Sequence, residues 1–210
     1  RAGGTYVKKV GEMPAPVAVI VNPISAAGRT AKLWPRLVES LERLGIDFDA
    51  FYTNGPLSAT NLTREALRQG ARIVVTVGGD GTVNEVVNGF LIAAEPLCPA
   101  ADLVIVPSGT GSDLGKTLGL PSGLAALSCL KQGRKRTIDV GRASFHDLGG
   151  QPTQRYFANV ADLGVGGETV ERVDRTSKAL GGFVSFLYGA VMTILQHRNR
   201  DVVVTVDGEP

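Results

Sequence analysis

Residues 72–82 read RIVVTVGGDGT, and this stretch decides the fold class. Residues 73–77 are all β-branched and show no polar alternation, the pattern of a strand buried on both faces. Two glycines, an acid and a third glycine follow, and residues 83–94 take up helical spacing. A buried strand that turns through glycines into a helix is the βα junction of a parallel sheet covered by helices. The same alternation continues outward on both sides. Upstream, VAVIV at 17–21 ends at Asn22-Pro23 as a strand and turn. Residues 30–44 carry Leu33, Trp34, Leu37, Val38, Leu41 and Leu44 on one helical face, stopped by Gly45. A strand at 46–53 and a helix at 59–69, stopped by Gly70, complete that half. Downstream, a strand at 103–106 runs into Pro107-Ser108-Gly109-Thr110-Gly111-Ser112 and a helix near 113–118. Ligands of such sheets bind at the carboxyl ends of strands. Three turn clusters, 22–28, 78–82 and 108–112, lie at such ends.

Beyond about residue 133 the pattern changes. RTIDVGRA at 136–143 and RYFANVA at 155–161 read as strands joined by a polar loop at 146–153. Residues 168–197 read as helical, and DVVVTV at 201–206 as a further strand. Asp207-Gly208 is a hairpin signal that calls for a returning strand, yet the sequence ends at Pro210. The expectation is an α/β domain over 1–135 and, over 136–210, the beginning of a β-rich second domain that is cut short. The apolar run FVSFLYGAVMTIL, 183–195, is shorter than the roughly 20 residues that span a bilayer. It reads as a core helix or as one lining a lipid-tail groove.

Composition narrows the classes. Hydrophobic residues at 43% and charged residues at 20% are those of a globular domain. A net charge of +2 is too small to argue for nucleic acid. The two cysteines, Cys98 and Cys129, form no CxxC pattern, which argues against a disulfide framework or zinc site and fits a reducing cytoplasm. The first 16 residues lack the apolar core of a secretory leader.

The segment 78–82 is the strongest chemical signal. Glycine lets backbone approach a phosphate, and the following helix offers unpaired N–H groups and a positive dipole end. Asp80 beside phosphates makes sense if it holds Mg2+ indirectly or accepts a proton from an attacking hydroxyl. The alternative is a helix cap or turn residue. Residues 108–112 add hydroxyls at Ser108, Thr110 and Ser112, and 22–28 with Arg29 is the weakest of the three clusters. A GxxxxGK[ST] loop, the HRD and DFG triplets of protein kinases and a GxSxG elbow are all absent. His146 and His197 are isolated and read as surface residues.

VNPISAAGR (21–29), VTVGGDGTVNEVVNGF (75–90), VPSGTGSDLGKTLGLP (106–121), IDVGRA (138–143) and FANVADLGVGGETV (157–170), in this order, resemble the diacylglycerol kinase catalytic-domain family. That family includes bacterial diacylglycerol and related lipid kinases, sphingosine kinases and ceramide kinases. GGDGT also occurs in NAD kinases; NEVVNG and PSGTGSDL favour the lipid branch. The resemblance implies a Rossmann-like nucleotide domain, a β-sandwich lipid domain and ATP between them. It implies transfer of the ATP γ-phosphoryl group to a lipid hydroxyl, with Mg2+ not held directly by the protein. It places Asn22, Arg29 and Thr53 on the nucleotide, Gly78, Gly79, Gly81 and Thr82 around the phosphates, and Glu85, Gly109, Thr110 and Gly111 on the ATP side. By the same resemblance Asp80 looks like the acid that orients or deprotonates the lipid hydroxyl, and Glu168 falls where the family places an acid near the substrate or nucleotide; Arg172 and Arg175 read first as ordinary helix-surface arginines, with contact to phosphate as the alternative. The lipid partner implies peripheral contact with a membrane surface from the cytoplasm. Ser112 stands where many bacterial members have Asn, and the acid and glycine-rich turn that the family's second domain returns to the site have no counterpart here. NAD kinase and a catalytically silent nucleotide-binding module are the competing readings.

Overall fold

The computed structural model describes residues 5–7, 16–147, 149–162, 191, 192, 203, 205 and 207. Contacts divide the chain into two compact units, Arg1–Ala161 and Asp162–Pro210. The helix expected over 168–197 and the strand over 201–206 lie, apart from isolated positions, outside the described residues, as do Glu168, Arg172 and Arg175.

The first unit is the α/β layer structure that strand and helix alternation implies. Its strands are β1 (Thr5–Val7), β2 (Val17–Val21), β3 (Phe48–Tyr52), β4 (Ile73–Gly78), the two-residue β5 (Leu91–Ile92) and β6 (Glu95–Pro96), and β7 (Asp102–Pro107). The helices between them are α1 (Arg29–Arg43), α2 (Ser58–Arg68), α3 (Asp80–Phe90) and α4 (Asp113–Thr117). The main sheet has the order β1-β3-β2-β4-β7, with β2, β3, β4 and β7 parallel and β1 antiparallel on the edge. The register pairs Val21 with both Tyr52 and Val77, and Gly78 with Pro107. The carboxyl ends of the four parallel strands therefore finish at one level, which brings the loops after them together.

The run VAVIV shows why the sheet forms. Val17, Val19 and Val21 face one core, with Leu37 and Leu41 of α1. Ala18 and Ile20 face the other, with Ala59, Leu62, Ala66 and Leu67 of α2. Every residue of β2 is buried, so alternation disappears from the sequence. Each Val, Leu or Ile buried this way contributes about 1.5–3 kcal/mol. Helix α3 presses on α2 at Gly89, where a Cβ would lie 2.5 Å from Thr63 Cβ and 2.9 Å from the Thr60 carbonyl.

Four expectations change. The helix expected over 83–94 ends at Phe90. Ala93 and Ala94 then take φ of 50° and 71°, turning the chain into the β5–β6 hairpin. The strand expected over 136–143 begins only at Gly141: residues 133–140 carry no regular element, and β8 spans Gly141–His146. The strand expected over 155–161 is β9, Pro152–Phe157. The loop expected at 146–153 is correspondingly tighter, because the Asp147 carboxylate accepts the N–H groups of Gly149 and Gln151, both at 2.9 Å. β8 and β9 pair antiparallel with each other.

Candidate functional site

In a doubly wound sheet the crevice opens where successive crossovers run in opposite directions. Here the chain moves from β2 outward to β3, then returns to place β4 on the other side of β2. Helices α1 and α2 accordingly pack on opposite faces. The switch point lies between β2 and β4, and Asn22 and the segment 78–82 stand at its mouth.

Asn22 bridges that crevice. Its backbone N–H donates to the Val77 carbonyl at 3.0 Å, and its side-chain Nδ2 donates to Thr82 Oγ1 at 2.9 Å. Its Oδ1 accepts the Ile24 N–H at 3.2 Å, so the amide is held at both ends. Thr82 is buried against Gly78, whose Cβ would lie 2.6 Å from the threonine side chain. This packing is what requires glycine at 78.

A chain of hydroxyls joins the other two loops. Thr30, fully buried, lies 2.5 Å from Ser25 Oγ and 2.9 Å from Ser108 Oγ. Ala26, Ala27 and Gly28 are all left-handed, with φ of 52°, 56° and 82°. They carry the chain into α1, whose start has no side-chain cap. Arg29 is exposed, and its Nε donates to the Ala26 carbonyl at 3.3 Å. Thr53 donates its backbone N–H to Val21 at 2.9 Å beside Asn22.

The loops after β4 and β7 meet backbone to backbone. A Cβ on Gly109 would lie 2.4 Å from the Gly79 Cα. One on Gly111 would lie 3.0 Å from Asp80 Oδ2 and 3.2 Å from Asp113 Oδ2, so two carboxylates converge on this glycine. The other oxygen of Asp80 accepts the Leu114 N–H at 3.2 Å, and the other oxygen of Asp113 accepts from Lys116 Nζ at 3.1 Å. Asp80 is thus fixed between two elements while one oxygen stays directed at the loop junction. Thr110 is exposed on that junction.

These two hard oxygen donors fit Mg2+ held through water. Among the described residues no group of three or more His, Cys, Asp or Glu side chains forms a protein cage for a metal. Asp113 stands in the sequence only as the start of a helix; that its carboxylate flanks Gly111 together with that of Asp80 is a product of the fold.

Glu85 sits elsewhere. Its two carboxylate oxygens accept the N–H groups of Leu57 and Ala59, each at 3.0 Å, capping α2 from α3. Leu57, the residue at the helix start, is left-handed and supplies no cap of its own. Glu85→Ala is expected to lower stability by about 1–3 kcal/mol, the range for lost charge-assisted bonds and caps, as read by chemical denaturation. An unchanged denaturation midpoint would remove the capping role.

Asp80, Gly81, Val83, Asn84 and Leu114 line one side of a cleft of about 240 Å3, and residues 157–160 line the other. Its walls are mainly apolar, through Val83, Leu114, Phe157, Ala158 and Val160, with Asp80, Asn84 and Asn159 as the polar groups. The cleft places Asp80 on the boundary between the polar loop junction and an apolar-walled space.

Residues 16–143 match the family model described as "Diacylglycerol kinase catalytic domain". A diacylglycerol kinase from Staphylococcus carnosus is 32% identical over 196 residues, covering 91% of this chain and 58% of the relative. One from Staphylococcus saprophyticus is 30% identical, covering 91% of this chain and 59% of the relative. The chain therefore spans a little over half the length of these relatives. A crystal structure of a diacylglycerol kinase from Bacillus anthracis superposes with a TM-score of 0.51 at 27% identity, covering 65% of this chain and 44% of that one.

Proposed function

Because the chain belongs to the diacylglycerol kinase catalytic domain family, we propose that it forms the nucleotide side of an ATP-dependent kinase that phosphorylates a lipid hydroxyl. The observation that carries this reading is the position of Asp80. Backbone of α4 holds one of its oxygens, the other faces the junction of two glycine loops, and the same residue lines an apolar-walled cleft.

Phosphoryl transfer asks the protein chiefly for positioning and for stabilisation of charge. The first-turn N–H groups of α3, which begins after extended Gly79 with no side-chain cap, supply donors for phosphate oxygens. Asn22 fixes Thr82 within that turn. On the acceptor side, Asp80 takes or orients the hydroxyl proton while Val83, Leu114 and Phe157 exclude water from around it. Mg2+, when bound with ATP, neutralises phosphate charge, and Asp80 and Asp113 are the residues that would hold it through water.

No helix among the described residues is long and apolar enough to cross a membrane. The proposed encounter with substrate is peripheral, at the cytoplasmic surface of a bilayer. The test is transfer of labelled phosphate from ATP by the full-length protein, offered diacylglycerol or a sphingoid base in mixed micelles and, separately, NAD. Labelled lipid is the expected product. Labelled NADP with no labelled lipid would make it an NAD kinase, and ATP binding with neither product would make it a silent nucleotide module.

A further inference from the structure

We propose that Asn88 is a positioning residue that holds the acceptor wall of the cleft at a fixed distance from Asp80. That this wall faces an acceptor rests on the function proposed above; the clamp rests on geometry alone. Asn88 lies in α3 and is only 4% exposed. Its Nδ2 donates to the Asn84 carbonyl and to the Tyr156 carbonyl, both at 2.8 Å, and its Oδ1 accepts the Tyr156 N–H at 3.0 Å. Its own carbonyl accepts from Arg64 Nη2 at 3.1 Å.

One amide thus pairs both the N–H and the C=O of a single strand residue. This is what a neighbouring strand does in a ladder. Tyr156 stands opposite Arg142 of β8, and its backbone groups turn away from that partner to meet Asn88. The side chain acts as a one-residue strand that fixes β9 to α3 in a single register. Tyr156 OH adds a second tie by accepting the Ala94 N–H at 2.6 Å.

The next four residues, 157–160, are the far wall of the cleft. Asp80, Asn84 and Asn88 follow one another at four-residue spacing, so they share a face of α3. Asp80 and Asn84 line the cleft, and Asn88 sets where the opposite wall begins. An apolar side chain at 88 would fill the same space but leave the Tyr156 backbone groups unpaired and the register unspecified. The outer residues of the hairpin are largely exposed, so apolar burial does little to place it.

In the full-length protein, Asn88→Ala is expected to raise the acceptor KM about tenfold while the ATP KM stays within about twofold. An unchanged acceptor KM, or an equal rise in both, would overturn the proposal, since a general loss of structure moves both sides together. Amide exchange tests the clamp without activity. In Asn88→Ala the amides of residues 156–160 are expected to exchange at least about tenfold faster, with residues 73–78 unchanged. Unchanged exchange at 156–160 would overturn it even if no lipid were ever phosphorylated. Should the variant fail to fold, the unsubstituted protein decides: protection of the Tyr156 amide is required, and exchange at the free-peptide rate would defeat the clamp.

Discussion

Full-length protein carrying Asp80→Asn is expected to transfer phosphate about 10²–10⁴-fold more slowly than the parent protein, the usual contribution of a positioned acid or base. The substitution is well matched to the geometry. Asn keeps the oxygen that accepts the Leu114 N–H, so the tie between the loop after β4 and helix α4 survives. What disappears is the negative charge and the proton affinity of the oxygen facing Gly111. ATP affinity measured by calorimetry without Mg2+ and the denaturation midpoint should both stay close to the parent values. The rate alone should collapse. Turnover at the parent rate would reduce Asp80 to a turn residue capping α4 and would remove the mechanistic core of the proposal.

The second large effect is expected at Gly109. An alanine methyl there would sit 2.4 Å from the Gly79 Cα, a backbone atom that no side-chain rotation can move aside. Separating the two loops is expected to cost about 1–3 kcal/mol in stability, as overpacking does elsewhere. On the proposed function ATP affinity should fall with it, because the same contact would align both loops on the nucleotide. Gly81→Ala is the control. A Cβ at 81 meets nothing within 4 Å, and alanine is the better helix former by up to about 1 kcal/mol, so stability should hold or rise. Gly79 lies between these extremes, with a Cβ 3.4 Å from the Gly109 Cα. Calorimetric titration of ATP and Mg2+ into Gly109→Ala and the parent protein is the test. Equal affinities in the two would show that the loop contact does not shape the site.

The contrast among these glycines marks how far the sequence could be read. VAVIV and RIVVTV announce buried parallel strands because every second residue meets a different core. The helices between them follow from apolar spacing and the glycines that stop them. From strand ends alone the three loops at 22–28, 78–82 and 108–112 emerge as the candidate site, and the register of β2, β4 and β7 brings them level. Local pattern does not distinguish Gly81 from Gly109, because the difference lies in a contact across about 30 positions of chain. Asp113 and Asn88 escape for the same reason: that Asp113 and Asp80 both flank Gly111, and that Asn88 meets Tyr156, is set only by folding. Glu85 is a different case. The resemblance puts it on the ATP side, and the fold adds a role that local pattern does not carry, since its oxygens are engaged with the start of α2. The end of α3 at Phe90 was hidden because alanines, good helix formers, occupy the left-handed turn at 93 and 94.

The cap that Glu85 places on α2 also sorts the helix ends by charge. A fixed carboxylate already takes up the amides at the start of α2, so that end has little attraction left for an anion. Helices α1 and α3 begin at Gly28 and Gly79 without any side-chain acceptor. The start of α2 is therefore already taken by a carboxylate, whereas α3 carries Asp80 in its first turn and α1 has no acid there. Helices α1 and α3 follow β2 and β4, the pair of strands flanking the switch point. On the function proposed above, the internal counter-charge of Glu85 would leave a phosphate to those two helices without touching it.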